Sequence, residues 1–260
     1  MEPVSLQLDH NIAWIAFGDP ATRNLLTIPL LEALPQALAE AEVRGARVVV
    51  LQGRGDIWSA GYDIAAIPAD LFDADPAAAL GHPYERCMSA VSACMLPTIA
   101  ALKEHAFGGA VELAVSCDIR VASAGTRLGI TAAKLGLVYP HNGLQKFLAL
   151  LGPAEVRRLL FAAEVIDADE AARIGLVSRV VPEAEFEAAI AGLAGRIAAC
   201  APRAVQGIKR TLQILERGTS LSDADLQAIL ALRQQSYHSD DFAEGRAAFA
   251  AKRAPRFHGH

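Results

Sequence analysis

The sequence predicts an α/β core followed by an all-helical C-terminal region, and three observations carry that prediction. Short apolar runs alternate with Ala- and Leu-rich helical stretches from Ile12 to Val181. From Pro182 onward the chain reads as helix only. Two glycine-bearing segments, Ser59-Ala60-Gly61-Tyr62-Asp63-Ile64 and Phe107-Gly108-Gly109-Ala110-Val111-Glu112, each follow a strand-like run and lead into a predicted helix.

Taken in order, Ile12–Phe17 reads as a strand and Pro29–Val43 as a helix. Arg47–Gln52 contains Val48-Val49-Val50-Leu51, a run apolar enough for a strand buried on both faces. Pro83–Met95 is the next helix, stopped by Pro97, and Thr98–Leu102 is a short strand. A helix is expected from Gly109 to about Cys117, then strands at Ile119–Ala122 and Val177–Val181. Four helices follow at Glu183–Ala199, Pro202–Arg217, Ser220–Tyr237 and Asp240–Lys252. Pro182 and Pro202 fit helix starts. The division expected is a core over residues 1–181 and a helical region over 182–260. No strict short-period repeat and no low-complexity linker interrupts it. Asp70–Ala79 is the most loop-like stretch, and a loop beside the first glycine segment would border a substrate entrance.

Composition narrows the class. With 260 residues, 53% of them hydrophobic, the chain forms a sizeable core. A net charge of −5 gives no sign of nucleic-acid binding. Met1–Asp9 has neither the basic start nor the apolar core of a signal peptide, and no apolar run reaches bilayer length. Cys87, Cys94, Cys117 and Cys200 form no metal or CxxC spacing and read as buried free thiols. A soluble, reduced, cytoplasmic protein is the expectation.

The glycine segments carry the chemistry. Together they would aim two backbone N–H groups at one point, as an enolate oxygen on a thioester requires. Preorganised donors stabilise such charge, and losing one costs roughly 3–4 kcal/mol. Gly109 would open a helix, where its N–H has no intrahelical partner and the dipole is positive. By itself Gly108-Gly109 equally fits a tight turn. Glu112 lies three residues on, among Val111, Leu113, Ala114 and Val115. A carboxylate in so apolar a helix needs a reason, such as acid–base work or a structural hydrogen bond. Tyr139 falls in a Gly/Pro/Asn-rich stretch, Lys134 to Gly143. It fits a turn tyrosine packed beside Pro140 or a phenol positioned for function. His105 and His141 are possible acid–base groups without an identifiable partner. His258 and His260 end the chain and are expected to be disordered. No His/Asp/Glu cluster has metal spacing, and no phosphate-binding glycine loop occurs.

In this order and spacing the segments resemble the crotonase (enoyl-CoA hydratase/isomerase) superfamily over nearly the whole chain. Arg23-Asn24-Leu25-Leu26 is similar to the family's R-N-A-L stretch. Ala168 to Val177 is similar to its A-x-x-A-x-x-x-G-L-V signature, and Phe249 with Lys252 to its F-x-x-K. The resemblance implies a spiral of ββα units with helical C-terminal trimerisation elements, assembled as a trimer or dimer of trimers. It implies oxyanion donors at the N–H groups of Tyr62 and Gly109, with Glu112 as the carboxylate beside them. Arg23, Leu25, Ala60, Asp63, Ile64 and Gly108 would lie along coenzyme A, mostly through backbone atoms. Phe249 and Lys252 would reach the coenzyme A of a neighbouring subunit. It implies no metal or redox cofactor, coenzyme A being part of the substrate.

One departure matters. Where the family's hydratases carry a second glutamate, in a stretch like F-G-x-P-E-x-x-L-G, this chain has Ala132. The chain is more similar to the bacterial methylmalonyl-CoA decarboxylases, whose P-x-N-L-G-V-P-Y-N-x-x-G segment aligns Tyr139 with a tyrosine near the substrate carboxylate. Those enzymes carry His where Tyr62 stands. Decarboxylation of methylmalonyl-CoA or a related malonyl thioester is therefore the leading expectation. A one-carboxylate enoyl-CoA hydratase or isomerase using Glu112 is the alternative, and a binding protein without turnover is a third reading.

Overall fold

The computed structural model describes residues 2–63, 81–135, 137–216 and 223–260. Strands β1 (Val4–Asp9) and β2 (Ile12–Phe17) form an antiparallel hairpin. A parallel series then continues through β3 (Val48–Gly53), β4 (Thr98–Leu102), β6 (Ile119–Ser123) and β9 (Arg179–Val181). A smaller layer holds β5 (His105–Phe107), β7 (Arg127–Gly129) and β8 (Val165–Asp167). Single parallel bridges extend it, from Ala106 to Ser59 and from Tyr62 to Leu26.

Each turn of the chain thus lays one segment in the large sheet and one in the small layer, then adds a helix. The first turn is β2, Leu26 and α1 (Ile28–Val43). The second is β3, Ser59 to Tyr62 and α2 (Pro83–Ala93). The third is β4, β5 and α3 (Gly109–Ser116), and the fourth β6, β7 and α4 (His141–Phe161). This is a spiral of ββα units. It places the start of α3 at the end of β5, directly beside the Ser59 to Tyr62 segment.

The large sheet is covered on both faces, which explains the unbroken apolar run of β3. Val48 and Val50 pack with Ile99 and Val121 under Phe186 and Ile190 of α6 (Phe186–Ala198). Val49 and Leu51 face the inner core with Leu30, Trp58, Met88 and Phe147. A short helix α5 (Ala168–Arg173) precedes β9, and after β9 the described chain is helical as far as Ala250: α6, α7 (Pro202–Leu215), α8 (Asp223–Tyr237) and α9 (Asp240–Ala250), the last ending before Lys252, with residues 251–260 not helical. Among the described residues no single helix is long and apolar enough to cross a membrane.

Several expectations need correction. Helix α2 stops at Ala93, not Met95, because Cys94 is already extended (φ −52°, ψ 131°) ahead of Pro97. His141 to Gly143 belong to α4 and not to a loop. The glycine and asparagine suggested a turn, but Pro140 precedes the helix and Gly143 is buried within it. Residues Glu183–Glu185 form a tight 3-10 turn before α6. Cys200 is exposed, whereas Cys87, Cys94 and Cys117 are buried. His258 and His260 are not loose. Buried Asp241 accepts His258 N–H (2.6 Å) and Gly259 N–H (2.9 Å), and Asp241 N–H donates to His260 O (3.3 Å). The Asp70–Ala79 stretch lies outside the described residues.

Candidate active site

The two glycine segments meet as the spiral requires. Ser59 N–H donates to His105 O and Phe107 N–H to Ser59 O, so the first segment runs alongside β5 (3.1 and 3.3 Å). On the other side Leu26 N–H donates to Gly61 O (2.8 Å) and Asp63 N–H reaches Leu26 O (3.5 Å). Both flank Tyr62, so Tyr62 N–H is directed the opposite way, towards the end of β5 and Gly108-Gly109. Only glycine fits at position 61. A methyl there would stand 2.5 Å from Phe107 O and 3.8 Å from Gly109 N, on a backbone at φ +106°. Gly108 (φ 52°) then turns the chain into α3, and Gly109 N–H opens the helix.

Glu112 is wholly buried one turn into α3. Tyr84, in the first turn of α2, donates its hydroxyl to Glu112 Oε2 (2.7 Å). The Tyr84 and Tyr139 hydroxyls are 3.3 Å apart, and Tyr139 Oη also reaches Gly108 O at 3.4 Å. The Tyr62 ring stands edge-on to Tyr84 (5.4 Å) and to His82 (5.9 Å), and Tyr62 Oη is 3.5 Å from His82 Nε2. Lys146 of α4 completes the group, with Nζ 3.8 Å from Glu112 Oε1. Gly143, one turn earlier, lets α4 approach. A methyl there would lie 2.7 Å from both Glu112 Oε2 and Tyr139 Cε1.

The electrostatics follow from burial. Glu112 is raised above its ordinary value by burial, with the Tyr84 hydrogen bond and then Lys146 opposing the rise. Tyr84 and Tyr139 are pushed well above the usual phenol range, mainly by burial. They are therefore neutral O–H donors. Burial draws Lys146 down, and Glu112 pushes it back up.

The structure thus brings Tyr62, Gly109, Glu112 and Tyr139 into one cluster. Arg23 O accepts Ala60 N–H (2.9 Å), and Leu25 and Asp63 flank the Leu26–Tyr62 bridge. Ile64 lies outside the described residues, as does the Phe249 side chain. Lys252 is exposed just past α9. Ala132 opens a short 3-10 turn, Ala132–Leu135, and brings no carboxylate to it. His105 Nε2 lies 3.3 Å from Glu104 Oε1, and His141 is an exposed residue at the start of α4. Neither joins the cluster. Sequence reasoning missed Tyr84 and Lys146. Lys146 had a signal, an isolated charge ahead of Phe147-Leu148-Ala149-Leu150-Leu151, comparable to that of Glu112. Among the described residues no cluster of His, Cys, Asp and Glu could hold a metal ion.

A ββα spiral that sets a helix-opening N–H beside a buried carboxylate defines a class of acyl-thioester enzymes. The chain belongs to the enoyl-CoA hydratase/isomerase (crotonase) family, which it matches over residues 7–260. It is 28% identical to a methylmalonyl-CoA decarboxylase of Escherichia coli, covering 96% of each chain. It is 30% identical to a probable enoyl-CoA hydratase of Bacillus subtilis, covering 100% of each. Its fold is similar to the crystal structure of a putative enoyl-CoA hydratase/isomerase family protein from Hyphomonas neptunium (TM-score 0.89, 30% identity, 99% of this chain and 98% of that one).

Proposed function

We propose that this crotonase-family enzyme decarboxylates methylmalonyl-CoA, or a related malonyl thioester, to propionyl-CoA or its analogue and CO₂. The observation that carries the reading is the state of Tyr139. Its ring lies among Phe147, Tyr84 and Glu112, and among the described residues its hydroxyl makes long contacts, 3.3 Å to Tyr84 Oη and 3.4 Å to Gly108 O, beside the Glu112 carboxylate. Such contacts are weak, and the O–H is available to a better acceptor. A substrate carboxylate beside the Gly109 N–H is such an acceptor.

The chemistry then runs without a second glutamate. With the carboxylate held perpendicular to the thioester plane, its C–C bond overlaps the carbonyl π system. That bond breaks, CO₂ leaves, and the electron pair becomes the enolate. The negative oxygen is received by Tyr62 N–H and Gly109 N–H. The electron pair comes from the substrate, so no base, metal or redox cofactor is required to start. A proton at the enolate carbon completes the product. Coenzyme A would lie along Arg23, Leu25, Ala60, Asp63, Ile64 and Gly108. Phe249 and Lys252 would reach it from a neighbouring subunit of a trimer or dimer of trimers. The exposed apolar side chains of Ile208, Leu212 and Leu215 on α7 support such an assembly.

The test is a mixed panel of malonyl-, methylmalonyl-, ethylmalonyl- and enoyl-CoA thioesters, with products followed by mass. Loss of CO₂ from the malonyl members is expected. Tyr139→Phe, which removes a hydrogen bond to a charged group, should lower kcat by roughly 10–100-fold with an unchanged Tm, and equal turnover would remove Tyr139 from the mechanism. A second reading, hydration or isomerisation of an enoyl-CoA by Glu112, is favoured by the hydratase relative and by Glu112 Oε1, which accepts no hydrogen bond among the described residues. Hydration of crotonyl-CoA without CO₂ release from any malonyl thioester would establish it.

A further inference from the structure

Glu112 is held from two sides in different ways. The Tyr84 hydroxyl satisfies Oε2 at 2.7 Å. Oε1 is buried and, among the described residues, receives no hydrogen bond. Lys146 Nζ stands 3.8 Å from it. That ammonium is fastened independently of Glu112. It donates to Ser116 Oγ (2.8 Å), one turn along α3, and to Met88 O (3.4 Å) on α2. Ser116 Oγ in turn donates to Glu112 O (2.9 Å). Three helices therefore fix a positive charge beside the bare oxygen of a buried acid.

We propose that Lys146 is the counter-ion of Glu112, a positioning residue that keeps this carboxylate ionised at neutral pH. Glu112 then begins turnover as an acceptor of hydrogen bonds and of protons, and the protons resting in the site belong to the phenols. Among the described residues, the other groups that face the pair most strongly supply no positive charge. Helix α2 presents Tyr84, Glu85 and Cys87, the segment before α4 presents Tyr139, and Cys117 directly follows α3. The Cys87 and Cys117 thiols are pushed up to about 12 and stay neutral. Glu85, whose Oε2 accepts Asn142 Nδ2 (3.2 Å), adds negative charge and makes Lys146 the more necessary. The pairing rests on the geometry of the cluster and holds whichever thioester is turned over.

The experiment reads Glu112 directly, without substrate. The full-length protein is labelled with glutamate carrying ¹³C at Cδ, and the Glu112 resonance is identified by its absence in Glu112→Gln. Wild type is expected to titrate below pH 7. Lys146→Gln keeps a donor for Ser116 Oγ but loses the charge, and its midpoint should rise by about one pH unit or more. Lys146→Arg should restore the wild-type midpoint. An unchanged midpoint in Lys146→Gln, even with a lowered Tm, would show a packing role only and overturn the proposal. A protonated Glu112 in wild type at pH 7 would overturn it without any variant, so the proposal stays decidable if Lys146→Gln fails to fold.

Discussion

Two lysine–carboxylate pairs stand at either end of α3, and they are built to opposite standards. Asp118 Oδ2 receives Thr98 N–H (2.6 Å), Thr98 Oγ1 (2.9 Å) and Lys209 Nζ (2.7 Å). Thr98 Oγ1 accepts Asp118 N–H (2.9 Å), and Lys209 Nζ also reaches Leu96 O (2.8 Å). This pair, near the surface, has short bonds throughout and ties α7 to the sheet. Glu112 is deeper, yet it has one short hydrogen bond and a cation held at 3.8 Å. Interior charge is costly unless it is paired and hydrogen-bonded. The satisfied pair stabilises the fold. The under-satisfied one retains acceptor capacity that a ligand can use, at a site where stability has been given up.

The largest expected effect separates the pairs by activity. Glu112→Gln should lower turnover of the accepted thioester by roughly 10²–10⁴-fold, the range for losing a positioned acid–base group, with no fall in Tm. Under the decarboxylation reading some CO₂ release should persist, because the substrate supplies the electron pair. A fall in Tm without loss of turnover would make this pair structural like the other. Next in size is Lys209→Met. It removes the counter-ion of Asp118 and leaves Leu96 O without its donor, and urea unfolding should show a loss of about 2–3 kcal/mol with kcat nearly unchanged. A loss below half a kcal/mol would break the contrast from the other side.

The smallest effect concerns pH. Burial raises Glu112 above its ordinary 4.5. The folded protein thus binds this proton more tightly than the unfolded chain does. The resulting stability is full below about 4.5 and declines as pH rises through the folded value. Glu112→Gln should remove that decline, so its stability relative to wild type should grow from pH 4.5 to 7. A constant difference would mean that Glu112 titrates normally. The half-buried Glu170, lowered to about 2 by Arg173 and Arg158, has the opposite sign. Its contribution is present above 4.5 and lost as pH falls towards 2.

Much of the large sheet was legible. β2 and β4 fall where the apolar runs place them, and β3 differs by one residue at each end. β1 was overlooked although Val4, Leu6 and Leu8 alternate with polar residues, the pattern of an edge strand. β5, β7 and β8 have three residues each, too few to display a period, and only pairing across the spiral makes them strands. α4 was hidden by the turn-forming residues at its start and by Gly152-Pro153 at its centre, where Gly152 leaves helical geometry.

The chain as a string already contained the two glycine segments, a carboxylate isolated in an apolar helix, the alanine at 132 and the tyrosine at 139. These are local facts, because turn chemistry and helix-face composition depend on neighbours a few residues away. Folding in three dimensions chose their company. Tyr84 meets Glu112 across 28 residues of sequence, and Lys146 and Gly143 arrive from a helix whose own sequence does not announce it. Nothing within a turn of these residues marks them. Their roles arise when α2, α3 and α4 close on one buried carboxylate and leave one of its oxygens without a hydrogen bond among the described residues.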